Sequence, residues 1–199
     1  MRALVNYSYS TKNYFYYMSE KYKFYNEDGI YFMTPTIVNW IDLFTRKAYS
    51  ELVLESLRYC QKEKGLVIHA WCIMPSHLHL IISKSGEEQL SNIVRDFKKF
   101  TSKAIIKEIE SIAESRREWL LRDFKEAGAQ LKRITNYKVW QDGNHPVELD
   151  TNKMLEQRLS YLHNNPVKHG IVFQSEYYCY SSAIDYCGGQ GLLEIDLIE

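Results

Sequence analysis

The sequence lacks most of the features that would assign it quickly. Its four cysteines, Cys60, Cys72, Cys179 and Cys187, form no CxxC pair, which sets aside a zinc ribbon or a thioredoxin-like motif. The N-terminal MRALVNYSYSTKNYFYYM has no uninterrupted apolar stretch of the signal-peptide kind. No run approaches the roughly 18 apolar residues that a membrane span needs. A reduced, cytoplasmic protein with no membrane partner is the expectation. There is no internal repeat and no low-complexity linker, so 199 residues suit one domain with a real core. Residues 1–17 read as an N-terminal extension, 18–187 as the domain and 188–199 as an acidic tail.

Net charge is also missing: 25 Lys and Arg balance 25 Asp and Glu. That balance would argue against a polyanionic partner only if it were uniform. Residues 89–138 hold 12 basic against 7 acidic side chains, and residues 139–199 hold 3 against 9. Binding follows the local field rather than the total, so nucleic acid is not excluded. What the chain has in excess is tyrosine, 16 in all, a residue suited to half-buried or base-stacking positions.

Periodicity outlines the elements. Ile30 to Ile37 reads as a strand after the turn at Asn26 to Gly29. Thr45 is the expected N-cap of a helix running to Lys64 and closed by Gly65. Leu66 to Met74 and His77 to Ser83 are two further strands, broken at Pro75-Ser76 and tight enough to be antiparallel neighbours. A second helix begins near Gln89, with Leu90, Ile93, Val94, Phe97, Phe100, Thr101, Ala104 and Ile105 on its apolar face. Residues 112–131 look helical, and Tyr137 to Leu149 extended. A last helix should run from Asn152 to Asn164, stopped by Pro166. The order predicts an α+β ferredoxin-like sandwich, an antiparallel sheet with helices on one face.

Two segments carry chemistry. Side chains alternate along a strand, so His77 and His79 share a face while Leu78 and Leu80 bury on the other. Two imidazoles one pleat apart can grip one cation, although such a pair is also a common structural or chance pattern. On the last helix Tyr161 and Asn165 lie one turn apart and point together, beside the stripe of Leu155, Leu159 and Leu162. An ordinary amphipathic helix with a tyrosine at its rim would look the same. His163 falls on another face and reads as a surface or capping residue. His69 reads as a half-buried strand residue in phase with Trp71 and Ile73, and His145 either as a structural residue pinning its loop beside the sheet or as a contact to DNA or the metal site.

Taken together, the segments Ala70-Trp71-Cys72-Ile73-Met74-Pro75-Ser76-His77-Leu78-His79-Leu80, Val139-Trp140-Gln141-Asp142-Gly143-Asn144-His145-Pro146 and Tyr161-Leu162-His163-Asn164-Asn165-Pro166-Val167-Lys168-His169-Gly170 resemble the single-tyrosine His-hydrophobe-His transposases. The branch they resemble most is the REP-associated tyrosine transposases and their insertion-sequence-200-like relatives. Ser76 departs from that pattern, where asparagine is more usual. The resemblance implies a DNA transposase that cleaves and rejoins single-stranded, hairpin-bearing DNA. Tyr161 would be the nucleophile of a 5′-phosphotyrosine intermediate. His77, His79 and Asn165 would hold Mg²⁺ or Mn²⁺, a mixed N/O set that suits such ions better than structural zinc. The resemblance leaves both a homodimer and a monomer open, since some relatives exchange the tyrosine helix between subunits of a dimer while others act as monomers. The alternatives are a domesticated single-strand-binding protein or a metal-dependent endonuclease of the same fold.

Arg95, Lys98, Lys99 and Lys103 lie off the apolar face of the second helix with only Asp96 among them, which makes them the expected phosphate contacts. Arg116, Arg117, Lys132 and Arg133 would extend that surface, diluted by Glu114 and Glu118.

Overall fold

A computed structural model describes residues 24–129 and 136–198. The proposed extension at 1–17, together with Lys132 and Arg133, falls outside them. Four strands, β1 (Tyr31–Met33), β2 (Leu66–Met74), β3 (His77–Lys84) and β4 (Val147–Glu148), form one antiparallel sheet in the order β2-β3-β1-β4. Among the described residues five α-helices accompany them: α1 (Lys47–Lys64), α2 (Leu90–Ser111), α3 (Arg117–Ala129), α4 (Asn152–Lys168) and the short α5 (Ala183–Tyr186). Strand β3 returns between β2 and β1, as a split β-α-β unit requires, so the expected α+β ferredoxin-like fold is the one observed.

The helices do not share one face. Met33, Leu78, Leu80 and Ile82 bury with Tyr49, Val53 and Leu57 of α1 and Ile93, Val94 and Phe97 of α2. Phe32, Ala70, Cys72, Met74 and Ile81 bury instead with Leu162, and Met154, Leu155 and Leu159 pack against them. Helix α4 therefore covers the opposite face of the sheet. Alternation along β3 turns His77 and His79 toward α4, in phase with Ile81.

Several boundaries differ from the sequence reading for local reasons. Thr45 does not cap α1: its hydroxyl donates to the Asp42 carbonyl at 2.7 Å and closes the preceding 3-10 turn, leaving Arg46 at the N-cap without a side-chain bond. Gly65 ends α1 as expected, with φ of 70°. Phe100 is 60% exposed, whereas Thr101 is buried, donates to the Phe97 carbonyl at 2.7 Å and accepts Trp140 Nε1–H at 2.9 Å. The 112–131 helix is shorter because Ile112 is extended and Glu114 turns inward. The Glu114 carboxylate accepts the Tyr49 hydroxyl at 2.8 Å and pairs with Arg46 at 2.9 Å. Burial alone would raise its pKa, but hydrogen bonds from the Arg116 N–H and the Tyr49 hydroxyl, with the charges of Arg46 and Arg116, hold it below the ordinary value.

Pro166 does not stop α4, which continues to Lys168. Proline removes one donor, yet the carbonyls of Asn165, Pro166 and Val167 still accept from His169, Ile171 and Gly170. His69 lies at a β-bulge that breaks the phase between Ile68 and Ala70, so it does not share a face with Trp71 and Ile73 as strict alternation would have it. It is buried, with Nδ1 2.9 Å from the Asp196 carbonyl and Nε2 2.8 Å from Ser83 Oγ. The acidic tail packs on its own domain, burying Leu193 and running beside the edge strand β2, where Asp196 N–H donates to the Ile68 carbonyl. Among the described residues no helix is long and apolar enough to cross a membrane.

Candidate active site

The β2–β3 turn at Pro75-Ser76 starts β3 at His77, and α4 lies across the strand ends. His77 Nε2 and His79 Nε2 approach to 3.1 Å, and Asn165 Nδ2 lies 3.1 Å from His79 Nε2. The other ring nitrogens are held from behind. Ser76 Oγ is 3.1 Å from His77 Nδ1, and Thr34 Oγ1 is 3.1 Å from His79 Nδ1. Ser76, the departure from the family pattern, thus serves as the orienting group for His77. Second hydrogen bonds of this kind fix which ring nitrogen faces inward.

Both imidazoles are neutral near pH 7. Burial lowers the pKa of His79 to about 3, helped by the neighbouring charges of His77, His169 and Arg158. Burial lowers that of His77 to about 4, helped by His169. A neutral imidazole keeps the lone pair that a metal needs. Asn165 is 3% exposed, and its Oδ1 has no hydrogen-bond partner. A buried amide oxygen without a donor costs stability unless something electropositive meets it. Among the described residues no three His, Cys, Asp or Glu side chains gather as a cation cage. The third donor beside this histidine pair is an amide, and two imidazoles with one carbonyl oxygen suit a hard or borderline divalent ion.

Tyr161 stands at the rim, 39% exposed, with its ring centroid 5.2 Å from that of His79 and 6.1 Å from that of Phe32. Tyrosine and histidine pair therefore meet within one chain. Lys168 Nζ lies 5.8 Å from the Tyr161 ring, and the Arg158 guanidinium 5.0 Å from the Phe32 ring. Arg158, Tyr161, Asn165 and Lys168 follow one helical stripe at spacings of 3, 4 and 3. The two cations were missed in the sequence, although that spacing was readable once α4 was allowed past Pro166. His169 was missed as well: its Nδ1 is 2.9 Å from the Asn165 carbonyl. Asn164 faces away and donates to the Ser160 carbonyl. His163 is buried rather than superficial, with Nε2 2.9 Å from Ser182 Oγ, and burial lowers its pKa to about 4.

The basic residues of α2 divide. Arg95 is exposed but bonded to Asn92 and Asp96. Lys98 is largely withdrawn from solvent, its Nζ donating to the Gln141 carbonyl at 2.8 Å and to Asn144 Oδ1 at 2.9 Å. Burial lowers its pKa to about 8, against the opposing pull of Asp142. Its amino group pins the 141–144 loop, and Asn144 in turn accepts the Thr34 amide beside the site. Lys99 and Lys103 are both exposed; Lys99 borders, with Arg95 and Lys98, a cleft closed by Tyr137 to Asn144, which Lys103 does not line. Arg116 and Arg117 do not extend this surface. Arg116 pairs with Asp42 at 2.7 Å, and Arg117 donates to the Ile109 and Ile112 carbonyls.

Known proteins resemble the chain in sequence and in fold. Residues 39–124 match the family model for IS200-like transposases, a span that includes both histidines and ends before Tyr161. The REP-associated tyrosine transposase of Escherichia coli (strain K12) is 26% identical over 158 residues, covering 79% of this chain and 78% of that protein. The solved structure of a REP-associated tyrosine transposase bound to a REP hairpin superposes with a TM-score of 0.60 at 20% identity, covering 89% of this chain and 92% of that one.

Proposed function

We propose that this chain, which is similar to the IS200-like family model and to a REP-associated tyrosine transposase, cleaves and rejoins single-stranded DNA at hairpin-bearing ends through Tyr161. The observation that most supports this reading is the convergence of Tyr161, His77, His79 and Asn165 on one face of one chain. A rim-exposed phenol beside a recessed pair of neutral imidazoles suits attack on a phosphodiester lying along the surface. The Tyr161 oxygen would bond to phosphorus as the bond to the departing 3′-oxygen breaks. That leaves a 5′-phosphotyrosine and a free 3′-hydroxyl, and reversal by a new 3′-hydroxyl rejoins the strand without an outside energy source.

His77, His79 and Asn165 would hold a divalent ion, Mg²⁺ or Mn²⁺, and the donor set fits because the buried Asn165 oxygen otherwise has no partner. Such an ion supplies charge neutralisation and polarisation at a non-bridging phosphate oxygen. Ser76 and Thr34 keep the imidazoles turned inward. Arg158 and Lys168 bring positive charge to the nucleophile's side of the site, where the phosphate must rest. Exposed Lys99 and Lys103 are suited to holding flanking phosphates.

The test is a labelled single-stranded hairpin incubated with the protein and Mn²⁺. The unaltered chain is expected to form a covalent protein–DNA adduct. Tyr161→Phe should lose the adduct and at least about a thousand-fold in cleavage while still binding the hairpin. Cleavage by Tyr161→Phe at the unaltered rate would instead identify an endonuclease without a covalent intermediate. Tight binding with neither adduct nor cleavage would identify a domesticated binding protein.

A further inference from the structure

Trp40 is the most exposed of the four tryptophans, 61% open against 38% for Trp119 and near-complete burial of Trp71 and Trp140. Its ring stands edge-on to His77 with centroids 5.5 Å apart, on the lip of the proposed active site. Asn39 and Trp40 both have φ of 55°, a left-handed conformation that L-residues adopt at a cost, and seldom twice in succession. The turn is fixed on both sides. Val38 and Ile41 are buried, Ile37 N–H donates to the Ser76 carbonyl at 2.9 Å and Val38 N–H to the Val139 carbonyl at 2.9 Å. The backbone thus holds in place a strained turn whose outcome is an indole displayed to solvent beside His77. Local strain persists where the surroundings over-determine it, and it gathers at functional sites.

Resting on the reading of the protein as a single-strand-cleaving enzyme, we propose that Trp40 is a stacking platform for an unpaired nucleobase next to the scissile phosphate. An indole offers a broad π-face that accepts any base, so its contribution is affinity and strand positioning rather than sequence choice. A base seated on Trp40 lies one ring's reach from His77, and the adjacent phosphate would then fall over the histidine pair with Tyr161 beyond His79. Pairing the base into a duplex would take it off the indole, which favours single-stranded DNA at this position.

The experiment compares the full-length protein with Trp40→Ala and Trp40→Phe on hairpins carrying a single-stranded flank, using cleavage kinetics and intrinsic fluorescence. Trp40→Ala is expected to raise KM about ten- to a hundred-fold, the loss that one base–aromatic stack gives, with a much smaller change in kcat and an unchanged melting temperature. Trp40→Phe should stay within several-fold. An abasic nucleotide at one flank position should weaken the unaltered protein by the same factor and weaken Trp40→Ala no further. Tryptophan fluorescence should quench on binding, and Trp40→Phe should abolish most of the quench. If the unaltered chain cleaves and Trp40→Ala matches it on every oligonucleotide, the platform is refuted while the enzyme reading stands. If the chain cleaves nothing but binds with Trp40-dependent quenching, the enzyme reading falls and the platform stands. If it neither cleaves nor binds, both fall.

Discussion

At the scale of single residues, Asn165 shows how function and stability pull apart. Its Oδ1 is buried without a donor, a defect worth about 1–3 kcal/mol in an apolar setting. A fold selected for stability alone would place leucine there. Asn165→Leu should therefore melt at an equal or higher temperature than the unaltered chain when no divalent ion is present. The unaltered chain should gain several degrees in Mn²⁺, whereas the variant should gain little. Calorimetry with and without Mn²⁺ measures both. An identical Mn²⁺ response in the two proteins would remove Asn165 from the metal site. The shared face of His77 and His79, and that of Tyr161 and Asn165, were readable because each pair depends on one period alone, two for a strand and 3.6 for a helix; joining the pairs into one site came from the family resemblance. Lys168 was not read, because the helix was taken to end before Pro166; Arg158 lay inside the expected helix, one turn before Tyr161, and was passed over although its spacing was readable. Trp40 and Thr34 were illegible for a different reason: they come from a non-repeating turn and loop, and only tertiary packing brings them to the histidines.

At the scale of elements, the junction between α1 and β2 leaves no room for a side chain at Gly65. Gly65 has φ of 70°, and a Cβ there would lie 1.9 Å from the Ser85 carbonyl oxygen. The backbone of Ser85 cannot yield easily, because its own N–H donates to the Gly65 carbonyl at 2.7 Å. Gly65→Ala is expected to cost at least about 2 kcal/mol, the combined result of a left-handed alanine and a backbone clash. Urea unfolding measures it, and a loss under about half a kcal/mol would show that the junction opens without penalty. The glycine stop was legible in the sequence, as was most of the apolar face of α2, Phe100 excepted. The bulge at His69 and the inward turn of Glu114 were not, since a bulge leaves no mark in a run of apolar residues. A buried carboxylate is likewise legible only through its partners, Tyr49 and Arg46, more than sixty positions away in the chain.

At the scale of the whole molecule, the fold class followed from element order, but the placing of α4 opposite α1 and α2 did not. That placing decides where the tyrosine sits. With Tyr161 5.2 Å from His79 in its own chain, one copy holds a full set of proposed groups. Mixing His77→Ala with Tyr161→Phe should consequently restore no cleavage, because neither chain can lend its intact half to the other. Recovery of a substantial fraction of activity in the mixture would show that the tyrosine helices exchange between partners. The tail contributes at the same scale. It runs beside β2, the outer strand of the sheet, so that edge is less open to pairing with another sheet.

Helix α4 has one further consequence. The nucleophile and the amide that completes the proposed ion grip are mounted on the same rigid rod, one turn and about 6 Å of rise apart. Any rocking of that rod against the sheet must move both by related amounts, so the site cannot drift into a state with its ion grip intact and its nucleophile out of range. Misalignment idles the whole machine at once. For a protein whose proposed reaction opens a DNA strand, such a coupled interlock would keep a half-assembled site from starting a cut it could not reverse.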